Sequence, residues 1–271
     1  MEKAKISIIT ACYNHGDVID DAIQSVQAYS WSVPIEHIII NDGSTDKNTI
    51  NKLSKLKQAG FTIVDQKNAG PANARNNGIA ISTGDFIIPL DADNKLIPPV
   101  FEKALSVMEK DNDISVVYTN AKNFGGSDSI WKPGEIDTAK FLNGNYLDTC
   151  ALIRKNDFIT IGGYDDQIPF HGNEDWDLWL NFVLHDYRFY YLEEIGFQYR
   201  ILENSLSRRE STPNQDRINA YITKKYANAY ATYYRKLYAQ AEKYQYLQSF
   251  IRTNKCRSIA KIILNKKIIE Y

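Results

Sequence analysis

Short apolar runs alternate with helix-like patterns through the first hundred residues of the chain. The runs KISIIT (5–10), HIIIND (37–42), FTIV (61–64) and DFIIPL (85–90) are rich in β-branched and apolar residues and predict four strands. Between them, Ala22, Ile23 and Val26 share one face of a predicted helix, and RNNGIAI lies in a second helix. Because the strands are apolar on both faces, they predict a mostly parallel sheet covered by helices on its two sides.

The second half of the chain has a less regular pattern. SVVY (115–118) predicts a fifth strand, and glycines and aspartates then interrupt the alternation, which predicts a mixed arrangement. SLSRRESTP (205–213) predicts an exposed, mobile segment. The predicted organisation is one α/β domain over 1–212, with halves at about 1–120 and 121–212, followed by a helical tail over 213–271.

The tail combines an aromatic stripe with a strong charge. Its apolar side chains follow a four-three helical spacing, at Tyr226, Tyr230, Tyr233, Leu237, Tyr244, Leu247 and Ile251. The net charge of the chain is −1, but residues 214–271 carry twelve Lys/Arg against three acids, a charge of +9, which leaves −10 for the preceding part. Two interpretations stay open: a helix that packs on the domain or pairs in a homodimer, and a basic aromatic surface that binds anionic lipid. Without a recognition motif, nucleic acid is not a predicted partner.

Composition places the chain among ordinary folded proteins, with 44% hydrophobic and 24% charged residues. No apolar run reaches the length of a membrane span, and the first residues lead into a strand without the apolar core of a signal peptide. We therefore expect a cytoplasmic protein, at the inner face of the plasma membrane if the tail binds lipid. Cys12, Cys150 and Cys256 lack the spacing of a zinc site and predict reduced, buried thiols.

Two aspartates directly follow the fourth predicted strand. In FIIPLDADN, Asp91 and Asp93 flank one alanine, so on a strand their side chains project to the same side. At the carboxyl end of a strand in an open α/β sheet, that side faces the crevice where ligands bind. Neighbouring carboxylates repel each other unless a cation lies between them, which favours a Mg²⁺ or Mn²⁺ site; an acidic, solvated turn is the alternative. An EF-hand calcium loop is excluded, because Leu96 occupies the position of its obligatory glycine.

Neither a GxGxxG turn nor a GxxxxGK[ST] loop occurs, which argues against a dinucleotide oxidoreductase and a P-loop enzyme. Five other segments occur in order: SIITACYNHGDVIDDAIQSV, IIINDGSTD, NAGPANARNNGI, IIPLDAD and HGNEDWDLWL. Over residues 6–207 they resemble the inverting family-two glycosyltransferases with the GT-A fold. The resemblance implies a Rossmann-like, mixed, mostly parallel sheet flanked by helices, with a nucleotide-sugar half, an acceptor half and a helical extension outside them.

The resemblance also implies which residues bind the nucleotide sugar. Tyr13 would stack on the base, Asp42 would accept a hydrogen bond from a uracil N–H, and Arg75 would lie near the base or the diphosphate. From the residues alone, Asp42 equally suits a turn and Arg75 an exposed helix face. Asp93 is the implied direct ligand of Mn²⁺ or Mg²⁺, with Asp91 shared between the metal and the ribose. The other implied donor-site residues are Thr10, Ala11, Asn14, Asn68, Gly70, Ala92, Arg200 and Ser205.

Two further acids open a predicted helix in NEDWDLWLNF (173–182). Leu178 and Trp179 fall on its apolar face, which places Glu174 and Asp175 in the first turn. Acids in a first turn interact favourably with the helix dipole, so a purely structural role stays open. The resemblance implies that Asp175 is the general base that takes a proton from the acceptor hydroxyl, in a single displacement that inverts the anomeric centre. Glu174 would orient the site.

The acceptor side is less well defined by the sequence. Trp176 could offer a face to a sugar ring, although at helical spacing it also suits the core. GGYDD (162–166), which contains Asp165, predicts a turn that shapes the acceptor cleft. Leu202 stands where relatives often carry a histidine, which leaves the third protein ligand of the metal open. The structural role is the favoured interpretation of His171.

The implied enzyme takes a nucleoside-diphosphate sugar, in particular a UDP-sugar, and a glycan or lipid-linked oligosaccharide acceptor. It would act in the assembly of a bacterial surface polysaccharide as a hexosyl- or N-acetylhexosaminyltransferase. Two other functions stay open: a sugar-nucleotide pyrophosphorylase, for which ACYNHGD lacks the expected glycine-rich basic loop, and a non-catalytic nucleotide-sugar-binding or scaffold protein.

Overall fold

A mixed sheet forms the centre of the computed structural model, which describes residues 4–202 and 205–254. Within those residues the sheet has nine strands: β1 (Ile6–Cys12), β2 (Ile35–Asp42), β3 (Thr62–Gln66), β4 (Phe86–Pro89), β5 (Lys95–Leu96), β6 (Ile114–Phe124), β7 (Ile130–Trp131), β8 (Leu152–Arg154) and β9 (Arg188–Arg200). The strand order is β3-β2-β1-β4-β8-β6-β9-β5, and β7 pairs with β6. The five strands predicted from the sequence are β1 to β4 and β6.

Most strands of the sheet run in one direction. β1, β2, β3 and β4 pair in parallel, as do β6 and β9, whereas β5, β7 and β8 pair antiparallel with their neighbours. Parallel strands need a crossover, and the helices that follow β1, β2 and β3 supply it. The predicted mixed, mostly parallel sheet is therefore confirmed.

Helices flank the sheet, as the apolar strands require. Over the described residues the helices are α1 (Ile19–Gln27), α2 (Lys47–Gln58), α3 (Gly70–Ile81), α4 (Pro98–Lys110), α5 (Thr138–Asn143), α6 (Lys155–Thr160), α7 (Glu174–Leu184), α8 (Gln215–Lys225) and α9 (Ala227–Asn254), the last of which lies outside the compact unit that contains the sheet. The predicted face of α1 is buried, and in β1 the side chains of Ile6, Ile8 and Ile9 have no exposed surface. Each such side chain contributes about 1.5–3 kcal/mol of burial free energy.

The segment SLSRRESTP is less exposed than the sequence predicts. It forms a π-helical turn (Ser207–Ser211) and a 3-10 turn (Thr212–Asn214). Arg208 and Arg209 are exposed, but Ser211 is buried, and its hydroxyl donates to the carbonyl of His171 at 3.0 Å. The predicted exposure therefore holds for Arg208 and Arg209 but not for Ser211, because its hydrogen bond ties the segment to the loop before α7.

The chain divides into two compact units, 1–222 and 223–271, and the predicted boundary after residue 212 stays a prediction. In the first unit, Ile218 and Ile222 of α8 are fully buried. In the second, α9 confirms the predicted helix, and Leu237 and Tyr244 of the aromatic stripe are exposed on it. Part of the basic tail, from 255 onward, lies outside the described residues. Within the described ranges, no helix combines the length and apolarity needed to cross a bilayer.

Candidate active site

A cavity of about 540 Å³ opens at the carboxyl ends of β1, β2 and β4. Parallel strands that end side by side leave their following loops at one edge of the sheet, which is where open α/β folds bind ligands. Predicted site residues from both halves line this one cavity: Ala11, Tyr13, Asp42, Asn68, Gly70, Arg75, Asp91, Ala92, Asp93, Glu174, Asp175, Arg200 and Ser205. The two predicted acidic pairs therefore share one space rather than two separate cavities.

Four predicted residues do not line the cavity. The hydroxyl of Thr10 is fully buried against His37 Nε2 at 2.9 Å, and Asn14 caps the 44–46 turn by accepting from two backbone N–H groups. Asp165 accepts a hydrogen bond from the hydroxyl of Tyr221 at 2.9 Å. Trp176 is 2% exposed, and its indole N–H donates to the carbonyl of Phe141 at 2.6 Å, so it is a core residue rather than a platform for a sugar ring.

Asp42 fixes the loop that leads into α3. Its two carboxylate oxygens accept from the backbone N–H groups of Ala69 and Gly70, both at 2.9 Å, and from the side chain of Gln66 at 2.8 Å. Gly70 has a φ of +87°, and a Cβ there would lie 2.3 Å from Cε1 of His171. A side chain at position 70 would therefore displace the imidazole that closes this part of the cavity. Asp42 is 3% exposed but retains acceptor capacity, because a carboxylate has about four lone-pair sites.

The turn that carries Asp91 and Asp93 begins after the strand has ended. β4 stops at Pro89, and the N–H of Asn94 donates to the carbonyl of Asp91 at 3.1 Å, which closes a tight turn. The expected strand alternation is therefore not what orients the two carboxylates. Both side chains are half-buried and line the same cavity because the turn bends around Ala92, which is 1% exposed.

Arg75 joins the two acidic pairs. Its Nη2 donates to Asp91 Oδ1 at 2.6 Å and its Nη1 donates to Glu174 Oε1 at 2.5 Å, while the residue is only 6% exposed. Burial alone lowers the pKa of Arg75, but the carboxylates of Asp91 and Glu174 outweigh it and raise that pKa well above its usual value. The guanidinium thus binds two carboxylates, which excludes the alternative of an exposed helix arginine. The expected position near the base or the diphosphate of a nucleotide stays a prediction.

Arg200 supports the turn from the other side. Its Nε donates to the backbone carbonyl of Asp93 at 2.9 Å, its Nη2 is paired with Asp21, and its guanidinium stacks on the ring of Phe124 at 4.3 Å. Its backbone N–H also donates to Asn94 at 2.9 Å. Although Arg200 lines the cavity, these contacts make it a support for the Asp93 backbone, and the expected contact with a diphosphate stays a prediction.

Asp175 stands in the first turn of α7 and opens to the cavity, as the apolar periodicity predicts. Its Oδ2 accepts from Asn145 Nδ2 at 2.8 Å, and its Oδ1 accepts from the N–H of Trp176 at 2.8 Å. Burial, followed by the negative charge of Glu174, raises the pKa of Asp175 to about 7. A carboxyl poised near neutral pH, with one side chain holding its orientation, has the properties of a general base.

Several cavity residues had no sequence signal strong enough to find them. His15, Asp148, Thr149 and Tyr199 line the cavity, and His171 does so beside Gly70. Asp148 is 9% exposed and lies in LDTC, a segment with neither helical nor strand periodicity. Leu202, where a histidine was considered, also lines the cavity and offers no ligand atom.

Asp93 stays the predicted direct ligand of a divalent cation. Burial, together with the negative charge of Asp91, raises the pKa of Asp93 to about 6, so its ionised form gains from a nearby positive charge. Across 4–202 and 205–254, no group of three His, Cys, Asp or Glu side chains is arranged to hold a metal by itself. Mg²⁺ is commonly bound by one or two carboxylates together with substrate phosphates and water. The donor set therefore fits a cation whose coordination is completed by a diphosphate.

Comparison with known families identifies the domain. The family model described as Glycosyl transferase family 2 matches residues 7–166, more than half of the chain. The uncharacterised glycosyltransferase YibD of Escherichia coli is 36% identical over 118 residues, which are 43% of this chain and 34% of YibD. The uncharacterised glycosyltransferase MJ1057 of Methanocaldococcus jannaschii is 24% identical over 243 residues, 86% of this chain and 79% of the relative.

A third relative and two solved structures extend the comparison. The poly-beta-1,6-N-acetyl-D-glucosamine synthase of Staphylococcus aureus is 44% identical over 90 residues, 32% of this chain but only 21% of the synthase. S. aureus TarS 1-349 in complex with UDP-GlcNAc superposes with a TM-score of 0.60 at 18% identity, over 75% of this chain and 60% of TarS. The mannosyltransferase PcManGT from Pyrobaculum calidifontis, in complex with GDP-Man and Mn²⁺, gives 0.58 at 15% identity, over 77% and 60%. These structures show the shared fold.

Proposed function

The chain belongs to the family 2 glycosyltransferases, and on that premise we propose that it moves a sugar from a nucleoside-diphosphate sugar, in particular a UDP-sugar, to a hydroxyl of a glycan or lipid-linked acceptor. One observation carries the proposal: Asp93 and Asp175 line one cavity of about 540 Å³. The staphylococcal synthase and the UDP-GlcNAc complex of TarS favour a hexosyl or N-acetylhexosaminyl donor and polysaccharide assembly.

In this proposal the nucleotide lies along the carboxyl ends of β1 and β2. Tyr13 is 42% exposed at the cavity, which leaves its ring free to stack on a base. Asp42 retains acceptor capacity for the N–H of a uracil, in addition to the three hydrogen bonds by which it holds the 66–70 loop. A divalent cation on Asp93 would stabilise the negative charge that develops on the departing diphosphate.

Asp175 acts at the opposite end of the reaction. Its carboxylate accepts the proton of the acceptor hydroxyl while that oxygen attacks the anomeric carbon, and the nucleoside diphosphate leaves from the other face. One base without a carboxylate nucleophile gives a single displacement and an inverted anomeric centre. Asn145 holds the base in place through Oδ2, and Glu174 fixes the start of α7 through Arg75.

Two other functions compete with this one. A sugar-nucleotide pyrophosphorylase would require a basic phosphate-binding loop after β1, whereas this loop carries Tyr13 and His15. A non-catalytic sugar-nucleotide-binding protein would not require the raised pKa of the Asp175 carboxyl, which suits a general base. Membrane association through the basic tail, a homodimer and a cytoplasmic location stay predictions.

The proposed function is tested by a panel of nucleotide sugars. With Mn²⁺ present, we expect at least one of UDP-GlcNAc, UDP-glucose, UDP-galactose and GDP-mannose to be hydrolysed slowly to the nucleoside diphosphate, because water can replace the acceptor hydroxyl. EDTA should abolish this turnover and also weaken UDP binding measured by calorimetry, since Asp93 would hold the cation and the cation would supply positive charge to the diphosphate. Release of pyrophosphate from a sugar phosphate and a nucleoside triphosphate would instead favour the pyrophosphorylase.

The pH dependence of turnover should report Asp175. Because burial and Glu174 raise its pKa to about 7, the carboxyl is protonated and inactive as a base below that value and ionised above it. We expect kcat/KM to rise about tenfold per pH unit up to pH ~7 and then to level off. The measurement is the donor-hydrolysis rate from pH 5 to 9 at saturating Mn²⁺. An acidic limb near the ordinary aspartate pKa of about 4 would contradict this assignment.

A further inference from the structure

Asp148 is a carboxyl in the cavity wall with no role in the chemistry described so far. It lies in the loop between α5 and β8, is 9% exposed and lines the cavity next to Thr149. An acid this well buried is uncommon unless it is paired or functional. Among the described residues, its side chain accepts a hydrogen bond from a backbone N–H and not from a charged side chain. The carboxyl can therefore accept a hydrogen bond from a further partner.

The loop holds this carboxyl in one orientation. Asp148 Oδ1 accepts the backbone N–H of Cys150 at 2.8 Å. The neighbouring Thr149 hydroxyl is hydrogen-bonded to the hydroxyl of Tyr164 at 2.5 Å, and both residues are buried. The N–H of Cys150 thus holds the Asp148 carboxyl, and the hydroxyl of Tyr164 holds the next residue in the loop. Such a side chain is pre-organised, so it can bind a ligand group without a large loss of rotamer entropy.

Asp148 lies in the cavity wall near both Asp91 and Asp175. Asn145, three residues before it, donates to Asp175 at 2.8 Å, and three residues span at most about 11 Å of chain. Burial, then the charge of Asp91, raises the pKa of Asp148 well above its usual value, and the charge of Asp175 adds to the effect. The carboxyl therefore lies within the electric field of both Asp91 and Asp175.

We propose that Asp148 recognises a hydroxyl group on the ring of the donor sugar and so helps to select the sugar that is transferred. This rests on the proposed function, in which the diphosphate lies at Asp93 and the anomeric carbon faces Asp175, so the sugar ring occupies the space between them. A carboxyl accepts hydrogen bonds from a sugar hydroxyl in either protonation state, and in its neutral form it can also donate one. A site built to bind a hydroxyl rejects the sugar that lacks it.

The test compares two substitutions at this position, with the best donor of the wild-type protein as probe. Asp148→Ala is expected to lower kcat/KM for that donor about 10–100-fold while the Kd for UDP stays within about twofold, because UDP carries no sugar. Asp148→Asn keeps both the Cys150 hydrogen bond and a donor and acceptor, so it should retain most of the activity. Asp128→Ala, an exposed aspartate, is the matched control and should change neither quantity.

Deoxy donors identify the hydroxyl. One donor that lacks a single ring hydroxyl should be a poor substrate for the wild-type protein, and Asp148→Ala should add no further loss with it. The proposal is overturned if Asp148→Ala weakens UDP binding as much as it weakens turnover, or if every deoxy donor loses activity equally in both proteins. A wild-type protein that consumes none of the nucleotide sugars would refute the proposed function itself, before any variant is compared.

Discussion

Asp175→Asn is expected to lower kcat for sugar transfer or donor hydrolysis by about 10²–10⁴-fold. The amide cannot take up the proton of the attacking hydroxyl, whereas it can still form the hydrogen bond with Asn145 after rotation and keep α7 in place. Because the proposed reaction places Asp175 next to the acceptor hydroxyl and not next to the nucleotide, the Kd for UDP should change by less than about threefold. Steady-state kinetics and calorimetry with UDP and Mn²⁺ measure the two quantities.

The control for this substitution is another aspartate in a first helical turn. Asp157 lies in the first turn of α6, is not among the residues that line the cavity, and pairs with Arg154 at 3.8 Å. Asp157→Asn should leave kcat within about twofold of wild type, which separates loss of a helix-dipole interaction from loss of a base. If Asp175→Asn turned over substrate at a comparable rate, Asp175 would be an N-terminal helix acid and the base would have to be sought elsewhere in the cavity.

The fold was largely predictable because its strands are buried on both sides. The run III (38–40) in β2 has no polar side chain on either face, so the apolar pattern indicates both the strand and the layers around it. The two-residue strands β5 and β7 and the six-residue helices α5 and α6 carry no periodic signal, since periodicity requires several turns or alternations. The two strands form because they pair with β9 and β6, and the two helices form because they pack against α7 and β8.

The positions of some candidate site residues could be predicted from a local sequence pattern. Asp175 follows from the start of an apolar helix, and Asp91 and Asp93 follow from the end of an apolar strand. Trp176 was misplaced because α7 is buried on most sides, so helical periodicity does not separate a core face from a cavity face. Asp148 was missed because only the tertiary structure brings its irregular loop to the cavity wall.

The contacts of Arg75 could not be predicted from sequence distance. Its two partners are 16 and 99 residues away along the chain, and an arginine in NARNNG could equally have faced solvent. The tertiary structure determines these contacts, because α3 and the turn after β4 bring Asp91 to the guanidinium and α7 brings Glu174 to it. Long-range ion pairs of this kind connect the two halves of the domain, and their energetic weight is open to direct measurement.

Arg75→Met is expected to reduce the free energy of unfolding by about 3–5 kcal/mol. Methionine fills a similar volume but leaves the carboxylates of Asp91 and Glu174 without their shared cation, and Glu174 is only 6% exposed. Urea unfolding followed by circular dichroism measures the change. Turnover should also fall, because Glu174 adjoins Asp175 and repulsion between the acids would move the start of α7.

A double variant tests whether the uncompensated charge is the cause. Glu174→Gln removes one of the two acids and keeps the acceptor for the N–H of Gly172, so Arg75→Met/Glu174→Gln should recover about 1–2 kcal/mol relative to Arg75→Met alone. Lys95, whose side chain is 33% exposed and pairs with Asp21 at 3.1 Å, provides the comparison with a more hydrated ion pair: Lys95→Met should cost no more than about 1 kcal/mol. Equal losses of unfolding free energy for Arg75→Met and Lys95→Met would show that Arg75 is not the buried link between the acids, because an ion pair buried on both sides is more costly to break than a hydrated one. A purely additive double variant would lead to the same conclusion.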